Sequence, residues 1–399
     1  MSTILLLVKA TSQRASYLLC IDTYSEKNQG LIGATSLIGT PNYLSIMHSN
    51  IDYSMKILFD INHPAHVHLF KNSISWLSEN GYEVIVTSRD KDLTTNLLDL
   101  EGIPHICVSK ASTSIIGNLA ELSLRSLKII QLHMKHKFTL AVGTSASIGH
   151  LSVFSRVVSL NFNEDDDSIV PLYAFAAYPF STKIINPRCV NYTKWPKKRI
   201  FHDSLHELAY LHPNNFTPDI NVLSKYGLAP QSYVVIRKSS LKAHHDSDAK
   251  GIDNNLWDKV LKITGNMEQV LSIEGQKSHQ ISPEDMHHIL AFSKLVFSDS
   301  QTVTLEAAVL GVPSIRFNSF VGKISCMNEL EEKYKITFGF LPDQETKCLE
   351  KLRDILNHEE LLSDFQERHI NFLNDKIDMN KFIINLIQTE LEKPSLIKS

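Results

Sequence analysis

The run Leu295-Val296-Phe297-Ser298-Asp299-Ser300-Gln301-Thr302-Val303-Thr304-Leu305-Glu306-Ala307-Ala308-Val309-Leu310-Gly311-Val312-Pro313-Ser314-Ile315 narrows the possible folds more than any other stretch. It reads as strand, polar turn, helix, glycine stop and strand. Ser298, Asp299 and Ser300 supply cap oxygens for a helix expected over 302–310, and Gly311 followed by Pro313 ends it. The unpaired amides at such a helix start attract phosphate. Glu306 then sits in the second turn, where a carboxylate can accept hydrogen bonds from the two neighbouring hydroxyls of a ribose. The same pattern also describes an ordinary β-α-β corner whose Glu306 faces solvent.

Around this unit the chain alternates between short apolar runs and helical periods. Strands are expected at 55–61, 82–87, 104–108, 138–142, 157–161 and 183–186, with helices at 70–80, 94–101 and 115–136. A second series opens with the cap-and-proline pair Thr217-Pro218 and a helix stopped by Gly227, followed by strands at 233–236, 270–273 and 295–297 and helices at 256–263 and 283–291. Three amphipathic helical stretches fill 348–392. Helices between β-branched strands imply parallel sheets with right-handed crossovers, so the expected fold class is α/β, with two Rossmann-type doubly wound halves facing a cleft. The expected boundaries are 55–190 for an N-terminal half, 191–216 for an interdomain connection, 217–375 for a C-terminal nucleotide-binding half and 376–399 for a C-terminal helix. Residues 1–54 show no sustained period. Met55 is therefore expected as the physiological start, and 1–54 as a non-native extension or a poorly ordered arm.

Composition excludes several classes. At 399 residues the chain is long enough for two cores, and its 21% charged share and net charge of −3 show no bias toward nucleic acid or an anionic membrane as main partner. Five scattered cysteines without a CxxC pair suit reduced thiols and a cytoplasmic setting. Eighteen histidines show no metal-ligand spacing, so no metal and no cofactor is expected. No run reaches the roughly 18 apolar residues a membrane span needs, which leaves at most peripheral membrane association. A homodimer stays open.

In a doubly wound fold the loops after strands carry the chemistry. The first such loop holds Asn62, His63, His66 and His68, and His66 is the expected acid–base histidine, although all three can instead cap the helix and bond one another. Thr144 and Ser145 follow the fourth strand in a small, hydroxyl-rich turn that lets a ligand approach, or that simply caps a helix. Residues 164–167 gather four carboxylates. Such a run is by default solvated, yet Glu164 here is placed to act as a base and Asp165 to hold a sugar hydroxyl. Arg237 and Ser239 follow a strand of the second half, where a guanidinium fork suits a diphosphate.

Four stretches together resemble a known group of proteins. They are residues 55–67, Glu207 to Pro213, Pro283 to His288, and the opening run through Asn318. The sequence is similar to a GT-B-type domain-of-unknown-function family, related to nucleotide-sugar glycosyltransferases and to non-hydrolysing UDP-N-acetylglucosamine 2-epimerases. The resemblance implies that Ser298, Ser300, Gln301 and Thr302 lie by a pyrophosphate and Glu306 on the ribose. It further implies a glycosyltransferase-like enzyme that uses a UDP-type sugar and a glycan or lipid-linked acceptor in surface polysaccharide or glycolipid assembly. The alternatives it leaves are an epimerase or hydrolase of the same nucleotide sugar and a non-catalytic sugar-nucleotide binder. The chain departs from the epimerase pattern at two places. Gly143-Thr144-Ser145 stands where those enzymes carry an acidic turn, and Asn62 and His63 stand where they carry an arginine.

Overall fold

β-branched and aliphatic runs buried on both faces produce parallel sheets covered by helices, and the computed structural model contains two of them. It describes residues 4–6, 19–21, 55–91, 93–112, 114–239, 250–273, 281–358 and 360–393. Within residues 1–51, strands β1 (Ile4–Leu6) and β2 (Leu19–Ile21) pair antiparallel. The expectation of an extension over 1–54 otherwise falls outside the described residues.

The first sheet has seven parallel strands: β3 (Lys56–Ile61), β4 (Glu83–Asp90), β5 (His105–Lys110), β6 (Phe138–Gly143), β7 (Val158–Phe162), β8 (Lys183–Pro187) and β9 (Arg199–His202). Their order is β5-β4-β3-β6-β7-β8-β9. β3 and β6 are paired neighbours, and the connections leaving them run to opposite sides, toward β4 and β7, which leaves a crevice at their carboxyl ends. The linking helices are α1 (Pro64–Glu79), α2 (Thr94–Leu100), α3 (Ile115–His136), α4 (Ala146–Phe154) and α5 (Pro171–Ala177).

The second sheet has five parallel strands in the order β11-β10-β12-β13-β14: β10 (Tyr233–Lys238), β11 (Glu268–Ile273), β12 (Leu295–Ser298), β13 (Ser314–Phe317) and β14 (Thr337–Phe340). Helices α6 (Asn254–Ile263), α7 (Met286–Phe292), α8 (Gln301–Val309), α9 (Ser325–Asn328), α10 (Glu345–Asn357), α11 (Glu360–Asp375) and α12 (Met379–Leu391) complete it. Gly311 takes a φ of +79°, which ends α8 in the left-handed region glycine tolerates.

Three local expectations are corrected. The first helix begins at Pro64 rather than 70, because His63 accepts the Ala65 amide (3.3 Å) and Pro64 occupies the first helical position, a start signal that the polar run concealed. The segment after Thr217 is a 3₁₀ helix, Ile220–Tyr226, capped by Asp219, whose carboxylate accepts the Asn221 amide (2.9 Å). β9 lies within the stretch expected as a connection, because Arg199 is drawn into the first half by a buried ion pair to Asp167 (2.7 Å).

One apolar cluster joins both halves. It contains Phe59 and Phe162 from the first sheet, Phe70 from α1, Leu208 and Leu211 from the connection, and Leu305 and Val309 from α8. It also contains Met379, Ile383 and Ile387 from α12, which folds back onto α1. Cys189 and Cys326, two free thiols, bring their sulfurs to 3.3 Å across this junction.

Candidate functional site

Strand β3 delivers Asp60, fully buried, to the carboxyl edge of the first sheet. Its carboxylate accepts from Thr87 Oγ1 (2.6 Å), from Ser145 Oγ (2.5 Å) and from the guanidinium of buried Arg125. Arg125 also donates to Ser109 Oγ (2.8 Å) and to the Ser88 carbonyl (3.2 Å), so one ion pair ties together the ends of β3, β4, β5 and β6. A Cβ on Gly143 would lie 2.6 Å from the Asp60 carbonyl oxygen, so only glycine lets β6 pass this closely. Ser145 is buried, caps α4 through the Ser147 amide (3.2 Å) and is committed to Asp60. Next to it, Asn62 Nδ2 donates to the Thr144 carbonyl (3.2 Å), while Asn62 Oδ1 and Thr144 Oγ1 are buried without a hydrogen-bond partner among the described residues.

The histidines of this loop divide in role. His63 caps α1. His66 carries a buried Nδ1 with no partner among the described residues, and burial, followed by the charges of His63, His206, Lys91 and Arg125, holds its pKa well below the ordinary histidine value. It is a neutral imidazole at neutral pH. His68 stacks on Tyr210 (5.1 Å between ring centres) and meets His287 edge-on (5.2 Å), and burial pushes its pKa down to about 3.

The four carboxylates after β7 also divide. Asp166 accepts the amides of Asn191 (2.6 Å) and Ser325 (2.8 Å), and Asp167 is locked to Arg199 by two 2.7 Å bonds, so both are structural. Glu164 and Asp165 are not locked in this way. Among the described residues Glu164 Oε2 accepts the His206 amide (3.2 Å) and lies 3.6 Å from His206 Nδ1, and burial raises its pKa to about 7. Asp165 is raised to about 6 by burial first and by Glu164 next. Two residues of the connection stand beside these carboxyls. Burial lowers His206 to about 4, and Glu207, buried beside Glu164 with Oε2 unpartnered, is raised well above the usual carboxyl range.

The second half contributes the start of α8. Ser298 is fully buried and its hydroxyl accepts the Ser300 amide (2.9 Å), so it shapes the turn from within. Ser300 is the cap residue, with Gln301 half-buried and Thr302 exposed beyond it. Asp299 accepts from both the amide (2.6 Å) and the hydroxyl (2.8 Å) of Ser239 and from the Ile252 amide (3.2 Å), while Asn318 Nδ2 donates to its carbonyl (2.9 Å). Ser239 is thus fastened to the α8 turn. Among the described residues Arg237 gives one bond, to Ser272 Oγ (3.2 Å), and keeps a buried Nε without a partner. Residues 240–249, which complete the cationic loop expected after β10, lie outside the described residues.

Glu306 links the halves. Its Oε1 accepts from Tyr210 Oη (2.9 Å) and pairs with His287 Nε2 (3.1 Å). Burial pushes its pKa up, yet His287, His68 and Tyr210 outweigh burial and hold it below the ordinary glutamate value. Oε2 takes no hydrogen bond among the described residues. Tyr210 is raised well above the usual phenol range by burial, then by Glu306 and Glu207, so the ribose-type carboxylate and the acidic pocket meet at this one phenol. Among the described residues no group of three or more His, Cys, Asp or Glu side chains is arranged to hold a metal ion.

The sequence reading did not single out His206, Glu207, Tyr210, His287 or Asp299 for the site. Glu207 and Tyr210 lay in one of the stretches that carried the resemblance, and their shared spacing was the available signal. His287 was hidden by its neighbour: His288 accepts the Asp219 amide (2.9 Å), while His287 turns inward.

Comparison with known proteins agrees with this architecture. Residues 55–199 match a family described as a protein of unknown function (DUF354). No curated protein matches the sequence. Among solved structures, spinosyn forosaminyltransferase is similar at 12% identity, covering 85% of this chain and 100% of that one with a TM-score of 0.60. The UDP-GlcNAc 2-epimerase of Neisseria meningitidis, bound to UDP-GlcNAc, is similar at 11% identity, covering 84% and 100% with a TM-score of 0.59. That of Methanocaldococcus jannaschii is similar at 12% identity with the same coverage and TM-score. The resemblance read from the sequence therefore holds: this is an α/β chain with the GT-B fold shared by glycosyltransferases and UDP-GlcNAc 2-epimerases, matching DUF354 over residues 55–199.

Proposed function

We propose that the cleft binds a nucleoside diphosphate sugar of the UDP type and that the chain transfers the sugar to an acceptor hydroxyl of a glycan or lipid-linked molecule. One observation carries this reading. Glu306 is buried and ionised in the second turn of α8, held by Tyr210 and His287, with Oε2 left for a sugar hydroxyl. It stands one turn beyond the amides that open α8, the end of the helix that attracts a diphosphate. In the proposed reaction the bond from the sugar C1 to the phosphate oxygen breaks and a bond from C1 to the acceptor oxygen forms. The acceptor proton passes to the Glu164 carboxylate, whose raised pKa suits a base working near neutrality. The diphosphate leaves with its charge met by the α8 amides and Arg237, so the reading asks for no metal. His66, neutral, and Asn62 and Thr144, with their unpartnered oxygens, line the sugar and acceptor side.

A second reading is favoured by a different observation. Glu164, Asp165 and Glu207 are three neighbouring buried carboxyls of raised pKa, more acid–base groups than a single proton transfer needs. Epimerisation at a sugar carbon removes a proton on one face and returns one on the other, which uses such a set. Incubation with UDP-sugars in deuterated water without any acceptor, followed by proton NMR, separates the readings. Deuterium at the sugar C2 or free UDP supports the epimerase or hydrolase, and turnover that requires an added acceptor supports the transferase. Binding of UDP-sugars without turnover under either condition sinks both.

A further inference from the structure

Helices α3, α4 and α5 pack side by side over one face of the first sheet, and their outer surface is the wrong way round for a water-facing layer. α3 turns Arg125 and Ser126 inward, to the Asp60 network and the α4 contact, and turns leucines outward. Ile116 is 82% exposed, Phe154 and Leu172 are each 74% exposed, and Leu127, Met134 and Phe175 are exposed as well. Isolated exposed leucines need no explanation, but ten of the eighteen large apolar side chains exposed among the described residues lie on this layer or directly beside it.

Charge identifies the occupant. From Ile115 to His202 the sequence carries eleven Lys and Arg against five acids, four of which are the loop at 164–167 facing the cleft or locked in buried bonds. The fifth, Glu121, is paired with Arg89 (2.6 Å). The exposed cations Lys135, Lys137, Arg156, Lys194 and Lys197 therefore border the apolar layer with no carboxylate among them free to oppose them. Lys194 lies 4.4 Å over the Phe175 ring, beside Trp195, an aromatic and cationic arrangement suited to a lipid headgroup boundary. A second copy of the chain would bring cations against cations.

We infer that the α3–α4–α5 face docks on an anionic bilayer surface, with the apolar side chains entering the interfacial region and the cations meeting lipid phosphates. The net charge of −3 for the whole chain conceals this face, because the opposing acids lie elsewhere. Among the described residues no helix is long and apolar enough to cross a membrane, so the attachment is peripheral. The inference rests on the surface and not on the reaction in the cleft.

The test is flotation of the full chain with vesicles of phosphatidylcholine alone and of phosphatidylcholine mixed with phosphatidylglycerol, at low and high salt. Expected are flotation with the mixed vesicles, loss at high salt, and little flotation with phosphatidylcholine alone. Lys135→Glu and Arg156→Glu should each weaken binding about tenfold, and Leu127→Ser with Phe154→Ser should weaken it further while UDP binding in the cleft persists. Wild-type chain that ignores both vesicles overturns the inference. So does a stable dimer in sedimentation equilibrium that Phe154→Ser converts to monomer, since the face would then be a subunit interface.

Discussion

Replacing Glu306 by alanine tests the core of the binding reading. The carboxylate holds two donors, Tyr210 Oη at 2.9 Å and His287 Nε2 at 3.1 Å, in a buried setting. Removing it leaves both donors without a partner, at about 1–3 kcal/mol each, so the free protein should lose roughly 2–6 kcal/mol of stability. A ribose bond to an ionised acceptor is worth about 1.5–3 kcal/mol, which predicts UDP binding weaker by roughly ten- to a hundredfold. The two effects are separated by a thermodynamic cycle. Calorimetric titration of wild type and Glu306→Ala with UDP and with an analogue lacking both ribose hydroxyls gives a coupling between the residue and those hydroxyls. The expected coupling is about 1.5 kcal/mol or more, with the analogue binding both proteins alike. If Glu306→Ala weakens UDP and the analogue equally, the carboxylate acts through Tyr210 and His287 on the shape of the cleft, and the ribose assignment fails. Circular dichroism melting of the variant accompanies the titration, so that a folding loss is not read as a binding loss.

Arg237→Ala should weaken UDP by roughly tenfold while changing uridine hardly at all, because only the diphosphate meets the guanidinium; equal weakening of both would refute that contact. Glu164 takes up a proton on folding between about pH 4.5 and its folded value of about 7, so its contribution to stability is present below that window and is lost as pH rises through it. The buried histidines His66, His68 and His206 act in the opposite sense, losing stability as pH falls below 6.5, so the measurement is the difference between wild type and Glu164→Gln in denaturant midpoints across pH 4.5–7. That difference should shift by about 1–3 kcal/mol, and a pH-independent difference would refute the assignment. Glu164→Gln should also lower turnover by about 10²–10⁴, whichever reaction the site performs. Arg125→Ala strands the buried Asp60 carboxylate and should cost about 3–5 kcal/mol in urea denaturation; a cost under 1 kcal/mol would mean that the network at the sheet edge is solvated.

The alternation of strand and helix was legible because period and caps are local properties. The Ser298–Ile315 unit, the helix at 115–136 and the stop at Gly311 each depend on residues within a few positions of one another. From these followed two parallel sheets and a crevice at their carboxyl ends, and with them the neighbourhoods of Asn62 to His68, Glu164 and Glu306. The start of α1 was missed because a histidine cap is a weak signal, and β9 was missed because it is held by Asp167, 32 positions upstream.

Which polar residues are free to act was decided only by tertiary structure. Asp166 and Asp167 look the same as Glu164 and Asp165 in the sequence, yet the first two are bonded to Asn191, Ser325 and Arg199 and the last two are not. Tyr210 reaches Glu306 from 96 positions away, out of the connection between the halves, and His287 from 19 positions away within the second half, and no periodicity encodes that meeting. The basic and apolar face of α3–α5 is likewise invisible to a whole-chain charge. Burial and charge act between neighbours in space, so the sequence by itself determined the scaffold, and packing selected which of its side chains keep an unpaired oxygen, a raised proton affinity or an exposed surface.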